Sequence, residues 1–146
     1  AAIKAMLKVG IAETVAYAQK MGITSPLLEV PSIALGTVEV KPLEMASAYG
    51  VVANKGIFFP PYAIEKIEKR NIAEPIYEHS STPKQVISPQ AAYLMVDLLK
   101  GPLSSAGTAS QLRVDGIPLA GKTGTTENFK DGWFVGCVEN LKFNPK

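Results

Sequence analysis

The chain has 146 residues, 47% of them hydrophobic and 19% charged, which suits one domain of the ~100–150-residue kind and excludes a disordered tail. Fifteen Lys and Arg against thirteen Asp and Glu leave a formal net charge of +2, and no basic run exceeds Lys69-Arg70, so the charge gives no argument for nucleic acid as a partner and none is expected. No apolar run reaches the ~18 residues of a membrane span and no signal peptide opens the chain, so any export signal or membrane anchor is expected outside this segment.

Ile3, Met6 and Leu7 recur at i, i+3, i+4 and predict one apolar face of a helix over residues 1–9, broken by Gly10. A second helix is expected over about 11–21, with Ile11, Val15 and Ala18 on one side and Gly22 just past its end. Residues 25–32 read as loop. Pro42 then suits the first turn of a third helix, where no N–H partner is needed, and Gly56 is its expected stop. Beyond Gly56, the run from Tyr62 to Ile67 predicts a strand with Tyr62 and Ile64 on one face, paired as a hairpin with Pro75 to Glu78. Ser88 as N-cap and Pro89 at the first helical position open the best-marked helix, with Ala92, Met95, Val96 and Leu99 at helical spacing and Gly101-Pro102 as its end. A Ser/Gly-rich loop over residues 103–110 leads to a hairpin whose strands are expected at about 119–126 and 132–139. The single cysteine, Cys137, permits no internal disulfide framework and reads as a small packed apolar residue between Val135 and Val138. The first helix lacks a capping residue and the last residues follow a strand-like run, so both ends are expected to continue in a longer protein.

Three patterns carry candidate chemistry. Gly116-Ile117-Pro118-Leu119-Ala120-Gly121-Lys122-Thr123 satisfies the phosphate-loop pattern literally, but that pattern works only when a helix starts at the Lys and aims its N–H groups at phosphate. The Thr- and Gly-rich residues after Lys122 form helix poorly, and Pro118 removes an N–H, so the nucleotide reading is disfavoured. Ser81-Thr82-Pro83-Lys84 matches Ser-x-x-Lys, yet Pro83 and Pro89 argue against the helix that would bring Ser81 and Lys84 together. His79, the only histidine, reads as a solvated surface residue. The third pattern is Lys122-Thr123-Gly124 on a strand. Strand alternation places Thr123 and Thr125 on one face, two hydroxyls beside an ammonium suit a carboxylate, and Gly124 leaves backbone open for an added peptide strand.

Gly121-Lys122-Thr123-Gly124-Thr125-Thr126, with Asp131-Gly132-Trp133-Phe134-Val135-Gly136 after it, resembles two strands of the transpeptidase domain of penicillin-binding proteins. Ala34-Leu35-Gly36, Glu39 to Ala46, Ala48-Tyr49 and Ala53-Asn54-Lys55-Gly56 resemble a segment of the class A, bifunctional members, and Gly22-Ile23 and Gly107-Thr108 fit in order. The resemblance implies a mixed α/β (α+β) fold of the penicillin-binding-protein and serine β-lactamase kind, with an antiparallel sheet of about five strands flanked by helices. It divides residues 1–146, one partial domain, into a helical part to about residue 56 and a strand, helix and hairpin part beyond it. It also implies acyl transfer: a serine attacks the D-Ala-D-Ala peptide of a peptidoglycan stem, D-Ala leaves, and an amine of a neighbouring stem takes the acyl group. β-Lactam antibiotics imitate that substrate. Carried over by motif, Lys122 supports proton movement and the electrostatics of the site. Thr123, Gly124 and Thr125 dock the substrate, with both hydroxyls on its terminal carboxylate, and the Thr125 backbone N–H forms half of an oxyanion hole. No metal or cofactor is implied. The intact protein is expected to be extracytoplasmic and membrane-anchored outside this segment.

The departures define what is expected to be absent. The family's Ser-x-x-Lys and Ser-x-Asn precede Lys-Thr-Gly by a long way, and neither is present in place here. Gly132 and Cys137 stand where Ala and Tyr are expected, and Lys41 where a capping Thr is common. The chain thus reads as the C-terminal-side portion of a transpeptidase domain without its nucleophile. A D,D-carboxypeptidase or β-lactamase-type hydrolase on the same fold, and a non-catalytic β-lactam-binding module, are the competing readings.

Overall fold

A computed structural model describes residues 1–125 and 132–138. Its elements in order are α1 (Ala2–Val9), α2 (Ile11–Lys20), α3 (Pro42–Ala53), β1 (Ile57–Phe58), β2 (Lys66–Ile67), β3 (Tyr77–Glu78), β4 (Lys84–Gln85), α4 (Pro89–Lys100), β5 (Leu119–Thr125) and β6 (Gly132–Val138). Short 3-10 turns lie at Pro31–Leu35, Gly101–Leu103 and Ser110–Leu112. Among the described residues the strands pair as three antiparallel ladders: β1 with β4, β2 with β3, and β5 with β6. The mix of helices and antiparallel strands is the one expected of the sequence, but the described strands form three two-stranded ladders instead of one sheet of about five.

Helix boundaries follow the local signals closely. Gly10, at φ +107°, ends α1 and starts α2. Ser88 caps α4 as expected, its Oγ accepting from the Ala91 N–H at 3.2 Å. Gly22 and Gly56 have φ of +101° and +87°, values that L side chains rarely adopt. Space excludes a side chain there too: a Cβ on Gly22 would run into the Phe58 ring, and one on Gly56 into the Ile87 carbonyl.

The core forms around α3, which packs against β1, α4 and β6. Val51 and Val52 of α3, Ala92 of α4, Leu103, Ala109 and Ala120 of β5 are buried. A second buried group, Met6, Val15 and Ile23, lies toward the N-terminal helices. An apolar cleft of about 240 Å³ opens beside it, lined by Ala18, Ile23, Leu27, Ile33, Val40 and Met45, and it includes no residue of β5.

The buried carboxylate of Glu44 stitches the loop after α2 to α3. Glu44 is the third residue of α3, where the partial positive charge of the helix N-terminus favours an anion. Its oxygens accept from Thr24 Oγ1 at 2.5 Å, Ser25 Oγ at 2.7 Å and Ser25 N–H at 3.1 Å. These hydrogen bonds, Thr24 first, hold its pKa down at about 2 against burial, which opposes them. The Lys41 ammonium, 3.5 Å away, acts in the same direction.

Several sequence expectations are corrected by the packing. Leu7 is exposed although Met6 and, in part, Ile3 are covered. Met95 is 44% exposed while Ala92 is buried and Val96 and Leu99 are half-buried. The strand expected over Tyr62 to Ile67 is confined to Lys66–Ile67, because only that dipeptide meets Tyr77–Glu78 in register. The ladder of β1 with β4 was not anticipated; Val86 N–H donates to the Gly56 carbonyl at 2.9 Å and draws residues 84–87 alongside. His79 is not the solvated residue expected. Its ring stacks on Tyr62 with centroids 3.9 Å apart, and its Nε2 is buried without a hydrogen-bond partner among the described residues.

Candidate substrate-docking strand

The ladder of β5 and β6 is built on two facing glycines. Gly121 lies opposite Gly136, and the Phe134 ring covers both. A Cβ on Gly121 would meet Phe134 Cζ at 2.5 Å and the Val135 carbonyl at 2.6 Å; one on Gly136 would meet the Ala120 carbonyl at 2.5 Å. Glycine is therefore required by close approach at this point of the ladder. Ala120 and Gly121 are buried, and from Lys122 onward the strand is exposed except at half-buried Thr123. The buried half anchors β5 to the body through α4 and the Gly101–Leu103 turn.

All four residues singled out from the sequence lie on this strand. Lys122, Thr123, Gly124 and Thr125 are opposite Val135, Phe134, Trp133 and Gly132 in turn. Thr123 is half-buried and the other three are exposed. Alternation puts Thr123 and Thr125 on one face and Lys122 on the other. The Lys122 side chain nevertheless folds back along the strand, and its Nζ donates to the Thr123 carbonyl at 2.9 Å and to Thr123 Oγ1 at 3.3 Å. A Cβ on Gly124 would meet nothing within 4 Å, so the backbone there is open to an approaching chain. Among the described residues β5 pairs only with β6, which leaves its other edge without a strand. Thr126 and the expected link over 127–131 lie outside the described residues, as do Glu139, the last expected residue of the return strand, and residues 140–146.

One partner has no clear mark in the sequence. Thr108, in the loop between α4 and β5, places its Oγ1 3.2 Å from Thr123 Oγ1. The only signal is the Gly107-Thr108 pair itself, which suggests no contact fifteen residues downstream. The site thus brings one ammonium and two hydroxyls together, a donor set matched to an anion such as a carboxylate. Among the described residues no group of three or more His, Cys, Asp or Glu is placed to hold a metal ion.

The rejected motifs are accounted for by the backbone. Lys122 sits inside β5, not at a helix start, so the phosphate-loop pattern has no helix N-terminus to offer. Ser81 is half-buried in a stretch outside any helix or strand and Lys84 is exposed on β4, so the Ser-x-x-Lys match has no helical turn to join its ends.

Comparison with known proteins places the strand in context. The profile of the penicillin binding protein transpeptidase domain matches residues 11–144. Penicillin-binding protein 1A of Clostridium acetobutylicum is 40% identical over 141 residues, covering 94% of this chain. This chain spans 17% of that relative's length. Among solved structures, penicillin-binding protein 1A from Haemophilus influenzae superposes with a TM-score of 0.77 at 26% identity, over 92% of this chain and 26% of that one. Penicillin-binding protein A from M. tuberculosis, solved as an imipenem acyl-enzyme complex, has a TM-score of 0.77 over 94% of this chain and 36% of that one, and at 23% identity shares the fold. Several curated relatives it matches are of the 1A type, and the chain belongs to the transpeptidase-domain family of the penicillin-binding proteins.

Proposed function

We propose that residues 1–146 form one partial domain that supplies the substrate-docking side of a peptidoglycan D,D-transpeptidase, holding the acyl donor while a serine from elsewhere in the intact protein attacks it. The serine oxygen bonds to the carbonyl of the D-Ala-D-Ala peptide bond, terminal D-Ala leaves with the proton, and the amine of a neighbouring stem peptide then takes the acyl group. β-Lactams enter the same site as imitators of the donor. The observation that carries this reading is the convergence of the Lys122 ammonium with the Thr123 hydroxyl on the exposed half of a strand whose other edge pairs with no strand among the described residues, in a chain of this family.

The roles follow from chemistry. Thr123 and Thr125 donate hydroxyl hydrogens to the terminal carboxylate of the donor. Gly124 lets the donor backbone lie close along β5 as an added strand. The Thr125 N–H faces the oxygen on which negative charge develops, and such a donor lowers a barrier by about 3–4 kcal/mol. Lys122 stabilises that charge and assists proton movement. The nucleophile is not among these 146 residues: the sequence contains no Ser-x-Asn, and Ser81 lies outside any helix. The described residues contain no helix long and apolar enough to cross a membrane. The site works on the extracytoplasmic face, where its polymer substrate is, and anchoring belongs to other parts of the intact protein.

The test is acylation of the full-length protein by a labelled penicillin. Thr123→Val removes a hydrogen bond to a charged group, which is worth about 1.5–3 kcal/mol and so about 10- to 150-fold in rate. Lys122→Ala is expected to lower acylation at least as far. Unchanged rates in both variants would remove the site assignment. Turnover with a stem peptide and an amine acceptor, scored for crosslinked against hydrolysed product, separates a transpeptidase from a hydrolase.

A further inference from the structure

The contact between Thr108 and Thr123 can run in either direction, and hydrogen-bond counting says what each direction leaves the Thr123 hydroxyl to do. A threonine hydroxyl has one hydrogen to donate and two lone pairs to accept with. Lys122 Nζ, which can only donate, already occupies one lone pair of Thr123 Oγ1 at 3.3 Å. Thr108 Oγ1, at 3.2 Å, either takes the Thr123 hydrogen or fills the second lone pair. In the second arrangement both lone pairs of Thr123 are in use, and its hydroxyl has no remaining function except to donate outward. An anion on the exposed face selects that arrangement, because a donated hydrogen bond to a charged acceptor is roughly twice as strong as one between neutral groups.

We propose that Thr108 is a positioning residue for Thr123: it turns the Thr123 hydroxyl into a committed donor, and so sharpens the strand's selectivity for a carboxylate over a neutral group. This rests on the docking-strand reading above and names the residue that tunes it.

The loop carrying Thr108 is built to hold such a contact. It doubles back on the end of α4: Ala109 N–H donates to the Pro102 carbonyl at 2.8 Å, and Gly107 N–H to the Ser104 carbonyl at 2.9 Å. Leu112 N–H donates to the Ala109 carbonyl at 2.9 Å. Leu103 and Ala109 on either side are buried, at 5% and 2% exposure. Gly107 lies so close to the carbonyls of Gly101 and Pro102 that no Cβ fits. The neighbours of Thr108 are therefore fixed to the same turn that packs against β5, while its own hydroxyl is left at the surface beside Thr123.

The experiment uses the full-length protein with Thr108→Val, Thr108→Ser, Thr123→Val and the Thr108→Val/Thr123→Val double variant. Acylation rate constants are measured with a penicillin and with its methyl ester, and melting temperatures are recorded alongside. Thr108→Val is expected to slow acylation by the free acid about 2- to 10-fold, the worth of one ordinary hydrogen bond. It should slow the ester less, narrowing the ratio between the two, and Thr108→Ser should restore that ratio. In the Thr123→Val background Thr108→Val should have no further effect, because its target is gone. A Thr108→Val loss that is equal for acid and ester, or that persists in the Thr123→Val background, would overturn the proposal in favour of plain loop packing. No loss in Thr108→Val while Thr123→Val is impaired would overturn it with the docking strand intact. No loss in Thr123→Val would overturn both.

Discussion

Gly121 and Gly124 are three residues apart on one strand, and the structure assigns them opposite requirements. Replacing Gly121 by Ala puts a methyl carbon 2.5 Å from Phe134 Cζ, 2.6 Å from the Val135 carbonyl and 2.9 Å from Gly136 Cα. Two of those three neighbours are β6 backbone, which cannot rotate away, so the ladder itself has to separate. Overpacking of this kind costs about 1–3 kcal/mol, and the backbone obstruction puts Gly121→Ala in the upper part of that range. Replacing Gly124 by Ala adds a methyl with nothing within 4 Å. There the loss of unfolded-chain entropy works in favour of the variant, by about 0.4–1 kcal/mol. Denaturant unfolding of the full-length protein should thus find Gly121→Ala destabilised and Gly124→Ala neutral or slightly stabilised. Penicillin acylation should fall in both: in Gly121→Ala because β5 is displaced, and in Gly124→Ala because the methyl stands where the donor backbone approaches. A Gly121→Ala variant within about 0.5 kcal/mol of wild type would refute the account of the facing glycines. A Gly124→Ala variant acylated at the wild-type rate would refute the use of that open edge by substrate.

Two further expectations are independent of that strand's packing. Glu44, with its pKa held down at about 2 from 4.5, contributes stability that is fully present above about pH 4.5 and is lost as pH falls towards 2. Glu44→Gln should therefore be less stable at neutral pH and lose less on acidification across that window; parallel acid-melting curves would show that the carboxylate does not hold the loop. The isolated 146-residue chain should form no covalent adduct with a labelled penicillin, since Ser81 and Lys84 are not joined by a helical turn. A labelled peptide containing Ser81 would reverse that conclusion.

The features legible in the sequence were those that depend on neighbours along the chain. Ser88 and Pro89 marked the start of α4, glycines marked the ends of α2 and α3, and the Thr- and Gly-rich run after Lys122 marked a strand instead of a phosphate-binding helix. The Lys122 to Thr125 cluster was legible for the same reason, since alternation along a single strand suffices to place its hydroxyls on one side. Periodicity alone was less reliable for burial, because Leu7 and Met95 sit at helical spacing but nothing among the described residues covers them.

The rest was decided by which segments meet across long separations. Glu44 finds Thr24 and Ser25 twenty and nineteen residues away, Thr123 finds Thr108 fifteen residues away, and His79 finds the Tyr62 ring. None of these pairs shares an element, so no propensity or spacing rule ties them. Thr123 meets Thr108 because β5 packs against α4 and the turn after it, and His79 meets Tyr62 because the β2–β3 pairing brings the two ends of that hairpin together. The sequence alone thus determined the strand and its chemical groups. Only the tertiary packing decided that the Thr123 hydroxyl has a second hydroxyl behind it, and through the close-packed Gly121–Gly136 pair, where that strand is held.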